Sequence, residues 1–302
     1  MTEKKALAID GTPFVIEYDH VDFDAEMETF LHNLDTGADG PETDNWYHSL
    51  LKDSFAYEGD EGSNDQYRNI CAYLVDTEVP QLDALHALIT PDKPLLRSGI
   101  VFVNPRSGER CVSCQHVGVN HAAINGEMLQ SLVDYFYRNR GALPFYMGLV
   151  FYLFYERLHP SEDGNGRLGR LVFVENARFG SVFPVSSALV GLNLPETKEL
   201  YAYFNFPRVV PNDQYDPDEW MREPEDSEKY FRIYVRKGIV LKIIRVLLAA
   251  LLWRAARSAE TQTEVDKIKN YLKNASQNRN KRNYSRFQNF AVLKGIIDRT
   301  YE

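Results

Sequence analysis

One run constrains the fold of this chain more than any other: FYMGLVFYLFYERLH, from Phe145 to His159. It is apolar nearly all the way round a helical wheel. A helix without a polar face has to be covered on every side, so this segment is expected at the centre of the fold. Apolar residues make up 44% of the 302-residue chain, enough to surround such a helix with a real core. A glycine-rich loop follows it, and then a further helix is expected over Arg167 to Phe179.

The rest of the chain reads as a mainly α protein with one small hairpin. The first 20 residues have the pattern of one or two short strands. Helices are expected over Asp24–Leu34, Asn45–Tyr57 (capped by Asp44), Gln66–Val75, Gln81–Ile89 and Glu127–Arg138. Ser98 to Ser113 (SGIVFVNPRSGERCVS) carries two short apolar runs about a Pro-Arg-Ser-Gly turn, which predicts a β-hairpin. Pro207 to Pro224 is polar and proline-rich, a linker or lid. Asp226 to Ala256 is expected to be one long helix, and two basic helices close the chain. These shifts divide the chain into an N-terminal arm (1–80), a core (81–206) and a linker with a basic helical region (207–302).

The chemistry concentrates in His159-Pro-Ser-Glu-Asp-Gly-Asn-Gly-Arg-Leu-Gly-Arg170, between the central helix and the next one. Gly164 and Gly166 allow a sharp turn that exposes backbone N–H groups. The free amides and positive end of the following helix face the same loop, a ready site for phosphate. Arg167 and Arg170 add forked cationic donors that match phosphate oxygens. Asp163 is a hard oxygen ligand suited to a Mg²⁺ that keeps waters and phosphate oxygens. His159 has the proton affinity to accept a proton from an attacking hydroxyl. Taken singly, each residue fits an ordinary interhelix loop. Together they predict phosphoryl or nucleotidyl transfer.

The segment resembles the Fic motif, His-Pro-Phe-x-Asp/Glu-Gly-Asn-Gly-Arg-x-x-Arg. The match runs through His159, Pro160, Asp163, Gly164, Asn165, Gly166, Arg167 and Arg170, and departs at Ser161, where the family has a core-anchoring phenylalanine. The wider resemblance covers about Gln81 to Phe206 and implies a Fic-fold helical core. It implies Mg²⁺-dependent transfer of AMP from ATP to a Ser, Thr or Tyr hydroxyl of a target protein, with pyrophosphate released. By position His159 is then the general base and Asp163 the Mg²⁺ ligand. Gly164, Asn165 and Gly166 form the anion hole, and Arg167 and Arg170 take the β- and γ-phosphates. The hairpin would be the flap that pairs with the target backbone. Members using a uridylyl or phosphocholine donor, and a catalytically silent binding module, are the alternatives.

Ser54-Phe-Ala-Tyr-Glu58-Gly59 resembles the family's inhibitory motif, Ser/Thr-x-x-x-Glu-Gly/Asn. That resemblance implies that Glu58 pairs with Arg170, occupies the γ-phosphate position and leaves ATP in a non-productive pose. Brakes of this kind are often tuned by dimerisation, so a homodimer is among the implied partners. A simpler reading of the same residues is a helix that stops at Gly59.

Other features point away from competing classes. Met1 to Asp10 lacks the apolar run of a secretory signal. Ile239–Trp253 is short for a membrane span and contains Lys242 and Arg245. These features predict a soluble, cytoplasmic protein. Three cysteines, Cys71, Cys111 and Cys114, do not suggest a disulfide framework. Cys111 and Cys114 have a usual zinc-ligand spacing, but the offsets of His116 and His121 are not a familiar set, so hairpin and flanking-loop packing is expected there. The net charge is −9, yet Ser227–Glu302 holds 17 Lys/Arg against 6 Asp/Glu. The basic residues, including those of Asn274–Arg286, are spread along amphipathic segments. That predicts packing on the acidic body rather than nucleic-acid binding. Tyr201 and Tyr203 are candidates for stacking on adenine, with core packing the simpler role.

Overall fold

A computed structural model describes residues 3–21, 48, 51–52, 54–56, 58–99, 101–103, 113–174, 195–204, 208–211 and 230–255. The described part is mainly helical, with two three-stranded sheets. The expected helix over Asp24–Leu34, the cap at Asp44, the zinc candidate Cys111 and the basic segment Asn274–Arg286 lie outside the described residues.

The first sheet joins the two flanking regions of the chain. Strand β1 (Lys4–Ala8) pairs antiparallel with β2 (Val15–Asp19), and β2 pairs parallel with a strand at Arg232–Val235. That last strand corrects the expectation of one helix over Asp226–Ala256. Arg-Ile-Tyr-Val alternates between exposed and covered positions, and Ile233 and Val235 face the core. Its partner β2 is more than 200 residues away, so no local pattern could weigh the pairing against a helix. The helix that follows, Lys237–Ala255, starts where Lys237 N–H donates to Asp19 Oδ2 at 2.7 Å. No helix among the described residues is long and apolar enough to cross a membrane.

Helices α1 (Asn64–Asp76), α2 (Leu82–Ile89) and α3 (Gly126–Asn139) fall close to the expected positions. Their starts have local causes. The side chain of Ser63 accepts from Gln66 N–H, and that of Asn125 accepts from Met128 N–H, each satisfying a donor the helix leaves open. Strands β3 (Val101–Val103) and β4 (Ser113–Val117) pair antiparallel, as a hairpin requires, but the second strand begins where the expected hairpin, Ser98–Ser113, was to end. A third strand, β5 (Arg208–Pro211), runs antiparallel along the other side of β4. It lies in the stretch expected to be only linker or lid. The valines of Arg-Val-Val-Pro suit a strand, and the proline closes it.

At the centre is α4 (Met147–Leu158), every residue of which is buried except Glu156. Its Phe151 packs on Phe136 of α3 and on Phe173, with ring centroids 5.1 and 5.7 Å apart. On its other side Phe154 meets Phe14, beside β2, edge to face at 5.5 Å. α5 (Asn165–Gly169) begins two residues before the expected helix. It passes into a single π-turn over Arg170–Val174 rather than continuing as a regular α-helix. α6 (Pro195–Phe204) packs against α4 and against α7 (Lys237–Ala255).

Candidate functional site

The site is built where α4 ends. His159 closes the helix in the left-handed conformation, φ 46° and ψ 59°, with its N–H donating to Tyr155 O at 3.0 Å. It is the only non-glycine residue with positive φ among the described residues. Such a turn is disfavoured for a side-chain-bearing residue and needs outside support. Arg97 supplies it: Nε donates to His159 O at 2.6 Å, and the Arg97 backbone N–H donates to Pro160 O at 2.8 Å. The same guanidinium donates to Gly99 O at 2.7 Å and to Val119 O. Arg97 therefore ties the His159 turn to the root of the β3–β4 pair. Burial pulls its pKa down to about 10. At Gly118, with φ +87°, a Cβ would lie 2.8 Å from both Arg97 Nη2 and the Cβ of His159, so only glycine fits this approach.

Ser161 lies at the loop floor. Ser161 is fully buried, and its Oγ donates to Leu95 O at 2.6 Å. Its N–H donates to Asn165 Oδ1 at 2.9 Å, while Asn165 Nδ2 donates to Ser161 O at 2.7 Å. This two-way amide bridge closes the loop on itself. A polar residue is tolerated in this interior because its hydroxyl and backbone groups have partners.

Beneath Asp163 and Gly164 lies His86 of α2. Its Nε2 is 3.1 Å from Asp163 O and 2.9 Å from Thr90 Oγ1. Burial holds this imidazole below its ordinary pKa, against the opposing pull of the Asp163 carbonyl and carboxylate. The Asp163 side chain is 54% exposed, and its Oδ1 accepts from Gly164 N–H at 2.6 Å. Burial works to raise its carboxyl, but the hydrogen bond and charge of Arg167 outweigh that and hold it below the usual range. Arg167 is itself buried. It reaches Asp163 at 2.8 Å and Asp60 at 2.7 Å, and its guanidinium lies 4.9 Å from the centre of the Phe55 ring.

Arg170 is 2% exposed. Its Nη2 donates to Glu58 Oε1 at 2.6 Å and to Ser54 O at 3.3 Å, and its Nε donates to Ser54 Oγ at 3.1 Å. Nη1 lies 3.5 Å from Tyr152 OH, which in turn is 2.9 Å from Tyr201 OH. Burial opposes the Arg170 charge, yet Tyr152, Glu58 and Tyr201 outweigh it and raise its pKa. The Glu58 carboxylate also touches the loop: a Cβ on Gly166 would lie 2.5 Å from Oε1 and 2.8 Å from Arg170 Nη1. A carboxylate of the chain itself thus sits between the bare backbone of Gly166 and a buried guanidinium, contacts that suit an anion. Gly59, with φ +82°, ends the helical turn that carries Glu58.

The structure therefore brings His159, Asp163 and Gly164 of the loop together with Asn165, Gly166 and Arg167 of α5 and Arg170 of the π-turn, and lays Ser54 and Glu58 over them. Tyr201 hydrogen-bonds within this cluster. The Tyr203 hydroxyl instead reaches Tyr234 O, at the first sheet. Four contributors had no signal in the sequence: Asp60, His86, Arg97 and Glu156. Asp60 and Glu156 follow or precede a singled-out residue by two and three positions, the only local hint they offer. Among the described residues no cluster of three or more His, Cys, Asp or Glu side chains forms a metal cage. Cys71 is buried. No family model, curated protein or solved structure matches this chain.

Proposed function

We propose that this chain is a protein adenylyltransferase that holds itself in check through Glu58. The observation that carries this reading is the Glu58 carboxylate seated against both Gly166 and Arg170. A loop that accepts an anion there, with a histidine at one end and a half-exposed aspartate between, suits a nucleoside triphosphate. The Asp163 carboxylate, more than half exposed beside the loop amides, fits a single-carboxylate ligand for Mg²⁺ whose other ligands are phosphate oxygens and water. When bound, Mg²⁺ would draw negative charge off the α- and β-phosphates.

In the proposed reaction the hydroxyl oxygen of a target Ser, Thr or Tyr forms a bond to the α-phosphorus of ATP. The bond from that phosphorus to the bridging oxygen breaks, and pyrophosphate leaves with its electron pair. His159 accepts the hydroxyl proton. The amides of Gly164, Asn165 and Gly166 bind phosphate oxygens, and Arg167 and Arg170 bind the outer phosphates. Asp60 and Glu58 now hold those two arginines. Release of Glu58 from Arg170 would open the γ-phosphate position.

Label transfer tests the reading. The Glu58→Gly variant, with Mg²⁺ and a cell lysate, should transfer label to protein from α-phosphate-labelled ATP and not from γ-phosphate-labelled ATP. His159→Ala in the same background should abolish transfer while retaining nucleotide binding. Absence of label from both positions refutes adenylylation.

A further inference from the structure

Glu156 is the one residue of the central helix that is only partly buried, and it lies beside the site. One turn before His159, its Oε2 is 4.0 Å from His159 Nδ1, with side-chain exposures of 14% and 16%. Its other oxygen, Oε1, is shut off from solvent and has no hydrogen-bond donor among the described residues. An acid placed in the last turn of an otherwise apolar helix, with one oxygen unsatisfied, costs stability. Its neighbours on α4 are apolar or aromatic apart from Arg157, so the groups that interact with its charge lie beyond the helix.

Resting on the adenylyltransferase reading, we propose that Glu156 is the positioning residue for His159, holding the ring by its Nδ1 side and stabilising the imidazolium formed during transfer. The separation is within ion-pair range and about 1 Å longer than a hydrogen bond. Catalytic contacts of this kind commonly shorten when substrate is bound. With Nδ1–H directed to Glu156, Nε2 carries the lone pair that takes the hydroxyl proton as oxygen bonds to the α-phosphorus. The ring is then positive, and the carboxylate 4.0 Å away offsets that charge. After pyrophosphate departs, the Nε2 proton passes to solvent and the dyad returns to its starting state.

The same carboxylate is electrostatically tied to the brake. Five titratable groups face it: Tyr152, Tyr155 and His159 near or on α4, Arg170 on the π-turn, and Glu58 on the overlying segment. Burial pushes the Glu156 carboxyl up to about 7; Arg170 pulls it down, and Glu58 adds to the rise.

The test uses the full-length chain in the Glu58→Gly background, with Glu156→Gln and Glu156→Asp. Titration of the His159 imidazole by NMR, its signal assigned by loss in His159→Gln, needs no activity. The ring is expected to titrate at lower pH in Glu156→Gln than in the parent. For transfer, kcat should fall by at least about tenfold, with the KM for ATP within about twofold. The acid limb of the kcat/KM profile should move to lower pH, and Glu156→Asp should be intermediate. An unmoved ring titration overturns the proposal, as does a loss confined to the KM for ATP. If the Glu58→Gly parent transfers no label, the adenylyltransferase reading fails by itself. The histidine titration then decides separately whether Glu156 and His159 form a pair.

Discussion

Glu58→Gln tests the brake as an energetic quantity. The substitution keeps the size of the side chain and removes its charge, leaving the Arg170 guanidinium 2% exposed without a carboxylate on it. Breaking a fully buried pair from one side costs about 3–5 kcal/mol. Two facts reduce that figure here. Glu58 is 36% exposed, so solvent already screens its side of the pair. Arg170 also keeps Ser54 Oγ, Ser54 O and Tyr152 OH as neutral acceptors. A cost of about 2 kcal/mol follows, which for a domain of this size lowers Tm by about 4 °C. Differential scanning calorimetry of the ligand-free protein reads this loss. The same 2 kcal/mol opposes any triphosphate that has to displace Glu58, so removing the charge should tighten Mg-ATP binding by up to about 30-fold. Isothermal titration calorimetry reads that gain. In saturating Mg-ATP the variant should then regain more Tm than the parent does. Both signs are expected: less stable when empty, tighter when loaded. A variant with unchanged Tm and an unchanged ATP response would show that the 2.6 Å contact carries neither stability nor competition.

Other substitutions probe separate parts of the site. Ser161→Ala removes the donor to Leu95 O and leaves that carbonyl buried, so chemical denaturation should show a loss of about 1–3 kcal/mol. Ser161→Phe should be at least as destabilising, because the position is fully buried and a ring would have to displace its neighbours; equal or higher stability overturns this expectation. Gly166→Ala places a methyl 2.5 Å from Glu58 Oε1, so it should expel the carboxylate and weaken triphosphate binding together, and calorimetric titration with ATP checks both. Glu156→Gln has a signature in stability against pH. The folded carboxyl holds its proton to about 7 and the unfolded one releases it near 4.5, so the native protein binds more protons in that window and loses stability as pH rises through it. The glutamine variant lacks this term and should gain up to about 3 kcal/mol relative to the parent between pH 4.5 and pH 8. A difference that stays flat across this range is the refuting result.

The motif could be read from the sequence because its parts are adjacent in the chain. His159, Asp163, the glycines and the arginines lie within twelve consecutive residues, and a helix leading into them that is apolar nearly all round can only be central. Glu58 was reachable by the resemblance of a short pattern, although 112 residues separate it from Arg170. Tertiary structure decided what depends on distant partners. Ser161 reads as a defect until Leu95, 66 residues away, is found accepting its hydroxyl. Arg97 has no visible role until the chain returns to present the carbonyls of His159 and Val119 to it. The strand at Arg232–Val235 resembles the start of a helix by composition, and becomes a strand because β2 offers an open edge beside it. Periodicity and motif spacing are local properties of a chain. The clamps, the sheet and the carboxylate facing His159 come from hydrogen bonds and charges that only the folded chain brings within reach.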